Sequence, residues 1–283
     1  MITPFKKDYS LDLEGFKNIV DFQINEGADY LVILGTTGES VTLDKEEKEQ
    51  VIQAAKDVNN GRLPIVVGVG GNNTRVLRDT IKSTDFSGID GILSVSPYYN
   101  KPNQRGIYNH YATLAEVSPR PIILYNVPGR TGSNMQADTS LSLARDFDNI
   151  TTLKEASGNF SQGMDLVADK PDSFTLVSGE DDLTLPLISL GFHGVISVTA
   201  NAFPGDYSRM VAAAREGRHE EARSLQYKML PYMRLFFSDG SPAGVKAFMS
   251  QKGLCENVVR PPLAPVKDEV YNKLLELSNG VKT

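Results

Sequence analysis

Residues 150–157 read I-T-T-L-K-E-A-S, a short β-prone run that ends on Lys154. A lysine at the end of such a run ordinarily snorkels, its stem on apolar surface and its ammonium in water. Held away from water, an ammonium is costly unless it is paired or gives up its proton. A chemical use exists for the second case. Desolvation lowers an amine's proton affinity and leaves a nucleophile, which condenses with a carbonyl to form a Schiff base. The iminium then acts as an electron sink and acidifies the adjacent carbon. Tyrosine hydroxyls can shuttle the protons. Threonine hydroxyls and turn N–H groups can hold one carboxylate, and an arginine can hold another bidentately.

Side chains of each type follow other β-prone runs. After 30–34 (YLVIL) comes Gly35-Thr36-Thr37-Gly38-Glu39-Ser40, and after 91–95 (GILSV) comes Ser96-Pro97-Tyr98-Tyr99-Asn100. The run 121–125 (PIILY) ends on Tyr125 and leads through Asn126-Val127-Pro128-Gly129 to Arg130; 174–177 (FTLV) leads to Ser178-Gly179-Glu180-Asp181. Each has a plainer reading. G-T-T-G-E-S can be a helix-capping turn, P-Y-Y-N can be interface packing, and Arg130 can be a surface guanidinium. None of these explains why a lysine, an arginine, two tyrosines and two threonines should all follow strand ends. Metal catalysis is not expected, because His110, His193 and His219 are far apart and form no ligand spacing. No cofactor is expected either. No Gly-rich loop with a following lysine suggests a triphosphate, and G-V-G-G-N-N-T has Asn73 where a dinucleotide fingerprint needs its third glycine.

The elements that must position this set are legible as a repeat. With 64–69 and 194–198, seven runs recur, and 1–3 is a candidate eighth. Nearly all are apolar on both faces, which suits a parallel sheet covered on both sides. They recur at about 20–34 residues, the size of a βα unit. Leu13, Phe16, Ile19, Val20 and Ile24 share one helical face. Asp44 with Glu47 forms a capping-box pattern opening a helix at 45–58. Asn73 or Thr74, Ser140 and Asp181 are candidate starts for later helices. Eight βα units in one chain of 283 residues predict an α/β fold, a (β/α)8 TIM barrel. The main alternative is a doubly wound open sheet. Beyond about residue 204 the strand signal stops, and 206–216, 219–237, 241–252 and 266–279 read as helices. The expected division is a barrel at 1–216 and a C-terminal α-helical extension at 217–283.

Composition bounds the partners. A net charge of −6 provides no basic field for nucleic acid or an anionic membrane. Cys255 is the single cysteine, so no intrachain disulfide forms and a reducing compartment fits. The start M-I-T-P-F-K-K-D has no apolar signal core, and no apolar run approaches the roughly 18 residues of a membrane span. A cytoplasmic, soluble protein is expected.

Taken together, G-T-T-G-E-S, P-Y-Y-N-K-P, Y-N-V-P-G-R-T-G, K-E-A-S-G-N, G-V-I-S-V-T-A-N, S-P-A-G-V-K and V-V-R-P-P-L-A-P resemble the dihydrodipicolinate synthase family over nearly the whole chain. The resemblance implies a barrel with a C-terminal helical domain and a lyase-class enzyme. It implies condensation of pyruvate with L-aspartate 4-semialdehyde to 4-hydroxy-tetrahydrodipicolinate, the entry to the diaminopimelate route to lysine. It also implies a homotetramer built from tight dimers. Residue by residue, Lys154 matches the imine-forming lysine and Tyr125 the tyrosine that relays protons to it. Thr36 matches the relay partner, and Tyr99 the relay member supplied across the tight dimer interface. Thr37 matches a pyruvate-carboxylate contact and Arg130 the receiver of the semialdehyde carboxylate. Gly179 and Ile196 match residues lining the site, Ile196 through its carbonyl.

Two features depart from the family. The chain begins almost at T-P-F, so its first strand is shorter, and S-G-E-D stands where many relatives have S-G-D-D. N-acetylneuraminate lyase shares the barrel, the lysine and a G-x-T-G-E turn but lacks the R-T-G after Y-x-x-P. A non-catalytic keto-acid binder should have lost at least one relay residue. Lysine-sensitive relatives bind L-lysine near the residues matching Ser40, Val41, Lys45, Lys48, Asn72, Val76 and Tyr98. There a glutamate stands where this chain has Val76, and histidines stand where it has Lys45 and Lys48. A missing carboxylate and two added cations oppose a cationic ligand, so weak or absent feedback is expected.

Overall fold

Short apolar runs with no solvent-facing side make the seven strands of a computed structural model, which describes residues 1–280. They are β1 (Leu31–Ile33), β2 (Ile65–Gly68), β3 (Gly91–Val95), β4 (Ile122–Asn126), β5 (Ile150–Glu155), β6 (Thr175–Ser178) and β7 (Gly194–Val195). All five residues of β4 are buried, the pattern of a strand covered on both faces. The strands lie in one sheet in chain order. From β2 to β7 every pairing is parallel. A doubly wound sheet must reverse its strand order at a switch point, and no reversal occurs. The fold is the expected (β/α)8 barrel with a helical C-terminal region.

Eight helices precede that region: α1 (Leu13–Asn25), α2 (Lys45–Asn59), α3 (Thr74–Ser83), α4 (Gln104–Ala115), the short α5 (Pro128–Thr131), α6 (Ala137–Asp146), α7 (Phe160–Asp169) and α8 (Thr184–Leu190). Five of them, α1, α2, α3, α4 and α7, start at side-chain caps. Asp44 and Glu47 form the expected capping box at α2, and Asn73 accepts from the Val76 N–H at α3. Two expected starts are corrected. Ser140 lies inside α6, where its hydroxyl bonds back to the Gln136 carbonyl at 3.3 Å. Asp181 precedes α8 by three residues. The seventh run is also shorter than expected. The strand ends at Val195, and the chain makes a 3-10 turn at Thr199–Asn201.

By internal packing the chain forms two compact units. One comprises Met1–Ile65, Val198–Ala213 and the chain from Arg218 onward; the other comprises Val66–Ser197 and Ala214–Gly217. In the first unit, the candidate eighth strand is too short to count as one, yet it occupies a strand's place. The Met1 ammonium donates to the Val32 carbonyl at 2.6 Å and the Ile2 N–H to Asn201 Oδ1 at 2.8 Å. The same unit holds α9 (Pro204–Arg215) as far as Ala213, with α10 (His219–Ser238), α11 (Ala243–Gln251) and α12 (Asp268–Ser278). Phe236, Phe248, Met249 and Leu274 pack with Ile2 and Ile19 in its core. The rings of Phe203, Tyr232 and Phe248 meet at centroid distances of 4.8–5.2 Å, a spacing at which aromatic pairs attract beyond simple area burial.

Candidate active site

In the second unit, parallel pairing sets Tyr125 beside Lys154 and Lys154 beside Val177. Register partners share a face of the sheet, so Tyr125 and Lys154 project together. The Lys154 amine lies over the Tyr125 ring, 4.2 Å from its centroid. Lys154 is 8% exposed and Tyr125 6%. The lysine therefore does not snorkel. A tyrosine face favours an ammonium modestly, and no carboxylate is paired with this one among the described residues.

Gly179 leaves room beside the Lys154 side chain. A Cβ there would lie 2.9 Å from Lys154 Cε and 2.6 Å from Ala156 Cβ. The Gly179 N–H donates to the Glu155 carbonyl at 2.7 Å, and Ile196 follows β7 with its N–H on the Ser178 carbonyl at 2.9 Å. Ser178 fixes the turn between them: its hydroxyl donates to the Glu180 carbonyl at 2.8 Å and accepts from the Glu180 N–H at 3.1 Å. Burial, with Asp182 and Asp181 nearby, pushes the Glu180 carboxyl up to about 7, although Lys154 and Arg130 pull the other way. The expected lining thus gains a titratable group. Its signal in the sequence was the S-G-E-D departure.

Arg130 is exposed on α5, just beyond β4, and has no ion pair among the described residues. Tyr99 is 88% exposed. Its φ of +73° is the left-handed region, which costs an ordinary residue about 1–2 kcal/mol. A three-residue turn closed by the Asn100 N–H on the Tyr98 carbonyl at 2.9 Å holds it there. Lys154, Tyr125, Gly179 and Ile196 are thus gathered at neighbouring strand ends. Tyr99 stands out in solvent.

Thr36 and Thr37 belong to the first unit, on the turn after β1. Thr36 is exposed and Thr37 half-buried. The turn is closed by the Gly38 N–H on the Gly35 carbonyl and the Glu39 N–H on the Thr36 carbonyl, each at 3.1 Å. Glu39 adopts a φ of +51° and is buried. Its carboxylate receives Lys246 Nζ, on α11, and the Arg260 N–H at 2.9 Å. Lys246 is 0% exposed; burial lowers its proton affinity while Glu39 raises it. It also donates to the Val258 carbonyl at 3.0 Å and lies over the Phe5 ring at 4.2 Å. The Arg260 guanidinium grips Glu47 with two bonds of 2.5 and 2.7 Å and donates to the Thr42 carbonyl at 2.8 Å. The C-terminal motifs S-P-A-G-V-K and V-V-R-P-P-L-A-P therefore supply the charges that hold the G-T-T-G-E-S turn. Sequence reasoning assigned those charges no role.

Strand order, the first residues in a strand's place, and the helical C-terminal region define a (β/α)8 barrel with a C-terminal helical extension. The chain belongs to the Dihydrodipicolinate synthetase family, which it matches over residues 1–279. It is 50% identical over 277 residues to the 4-hydroxy-tetrahydrodipicolinate synthase of Parabacteroides distasonis, covering 98% of this chain and 93% of that protein. The crystal structure of dihydrodipicolinate synthase from Aquifex aeolicus superposes with a TM-score of 0.95 at 38% identity, over 99% of this chain and 95% of that one. A structure described as the first monomeric dihydrodipicolinate synthase variant also superposes with a TM-score of 0.95, at 35% identity, over 100% of this chain and 95% of that one.

Proposed function

We propose that this chain is a lyase-class synthase that condenses pyruvate with L-aspartate 4-semialdehyde to 4-hydroxy-tetrahydrodipicolinate. The observation that carries the reading is the buried Lys154 amine over the Tyr125 ring, with Gly179 keeping the space beside it open. Lys154 Nζ attacks the keto carbon of pyruvate, water leaves, and an iminium forms. Loss of a methyl proton gives the enamine, whose carbon attacks the aldehyde. The semialdehyde's own amine then attacks the iminium carbon, closes the ring and releases Lys154. The iminium is the electron sink, so these steps call on no metal or cofactor.

In this scheme Tyr125 carries protons to and from the imine, relayed by Thr36 and by Tyr99 of the partner subunit. Thr37 and Gly179 hold pyruvate with the Ile196 carbonyl, and Arg130 receives the semialdehyde carboxylate. The exposure and left-handed backbone of Tyr99 support a role completed by a second copy of the chain. We assign a homotetramer of tight dimers, a division at residues 216/217 between barrel and helical extension, and a cytoplasmic location. No helix among the described residues is long and apolar enough to cross a membrane.

The discriminating experiment offers the protein pyruvate with L-aspartate 4-semialdehyde and, separately, N-acetylneuraminate. Pyruvate-dependent consumption of the semialdehyde is expected. Cleavage of N-acetylneuraminate with no use of the semialdehyde would overturn the assignment.

A further inference from the structure

Neighbouring residues on a strand face opposite ways. With Tyr125 and Lys154 on one face, the next residues, Asn126 and Glu155, turn to the other. They are also register partners, and both are buried. The Glu155 carboxylate is met by uncharged donors. Asn126 Nδ2 lies 3.0 and 3.2 Å from its two oxygens, Gln162 Nε2 of α7 lies at 3.0 Å, and the Ser157 N–H lies at 2.6 Å.

The Asn126 amide has a second task. Its Oδ1 accepts the Met135 N–H at 2.9 Å, and its Nδ2 donates to Asn134 Oδ1 at 2.8 Å. One side chain at the end of β4 thus ties down both ends of the segment 127–134, and Arg130 lies within that segment. Inside it, Thr131 Oγ1 donates to the Ser133 carbonyl at 2.7 Å, and Gly132 takes a φ of +73° that closes the turn. An amide has one donor end and one acceptor end, whereas an ionised carboxylate only accepts. Glu155 therefore decides which way round the Asn126 amide lies, and so whether an acceptor is available for Met135.

We infer that Glu155 is a positioning residue for Arg130. Its buried carboxylate orients the Asn126 amide, and that amide closes the loop that presents the guanidinium to the second substrate. This rests on the proposed role of Arg130 as receiver of the semialdehyde carboxylate. Glu155→Gln keeps the shape but can turn an NH2 group toward the amides of Asn126 and Gln162. Donor then meets donor, and the loop loses its fixed closure.

The test compares the native enzyme, Glu155→Gln, Arg130→Ala and the double variant Glu155→Gln/Asn126→Asp. Three quantities are read: the semialdehyde KM and kcat, the rate of pyruvate adduct formation on Lys154 trapped with borohydride, and the thermal midpoint. Loss of one charge-assisted bond predicts that semialdehyde kcat/KM in Glu155→Gln falls by about 10- to 100-fold, mainly through KM. Adduct formation should stay within about twofold, as expected of a residue acting through the loop rather than the amine. The double variant returns a carboxylate to the pair on the opposite strand. The carboxylate introduced on β4 accepts from both the amide introduced on β5 and the Met135 N–H but cannot donate to Asn134 Oδ1, so part of the lost affinity should return. Equal loss of adduct formation, no loss at all, or failure of the double variant to recover would overturn the inference. Selective loss in Arg130→Ala with a native-like Glu155→Gln overturns the inference alone. A native-like Arg130→Ala overturns the role of Arg130 and the inference with it.

Discussion

Gly179→Ala should cripple imine formation in a protein that still folds. The added Cβ would lie 2.9 Å from Lys154 Cε, 3.2 Å from its Cγ and 2.6 Å from Ala156 Cβ. Unstrained carbons sit at about 3.5–4.0 Å, so relief at the lysine requires a displacement on the order of 0.5–1 Å. Ala156 has no rotamer by which to move aside. Overpacking of this kind costs about 1–3 kcal/mol. A misplacement of about 1 Å at a reacting group can cost on the order of 100-fold in rate. The assay mixes the variant with saturating pyruvate, quenches with borohydride at short times, and follows the mass of the adduct. A roughly 100-fold slower adduct with a thermal midpoint only a few degrees lower is expected. A folded Gly179→Ala that forms the adduct at the native rate would refute the claim that Gly179 keeps space for the amine.

Other perturbations have defined signs. The Glu180 carboxyl is raised from 4.5 to about 7. Its contribution to stability is thus fully present below pH 4.5 and lost as pH rises through 7; Glu180→Gln should flatten that decline in thermal midpoint, and an unchanged profile would count against the shift. Lys246→Met strands the buried Glu39 carboxylate, which costs about 3–5 kcal/mol and lowers the midpoint by on the order of 10 °C. Adding Glu39→Gln should restore part of that loss, and a midpoint unmoved by the single change would contradict a buried pair. L-lysine should inhibit turnover weakly or not at all, because Val76 is uncharged and Lys45 and Lys48 repel a cation; an inhibition midpoint well below about 1 mM would mean that other groups supply the negative charge.

The sequence exposed the parts of this molecule that obey local rules. Two-face apolar runs at βα spacing identify the barrel, and Tyr125 and Lys154 are visible because each ends such a run. Their shared face follows only from the register, which β4 and β5 set between them. Asp44 and Glu47 were legible because a capping box is complete within four residues. Ser140 misled because a serine that looks like a cap can also back-bond to the preceding turn. The charges behind the G-T-T-G-E-S turn were hidden for a different reason. Glu39, Lys246 and Arg260 meet across more than half of the chain, and no sequence period encodes such a meeting. Likewise, Glu155 looks like an ordinary polar residue until the sheet register sets it beside Asn126, and Gln162 until α7 brings it to Glu155.

The central claim is that Lys154 carries the substrate. Incubation with pyruvate and borohydride, followed by proteolysis and mass mapping, tests it most directly. One stable adduct per chain, on the peptide containing Lys154, with activity lost in proportion and no adduct in Lys154→Met, is predicted. An adduct on another lysine, or full activity in Lys154→Met, would contradict the account.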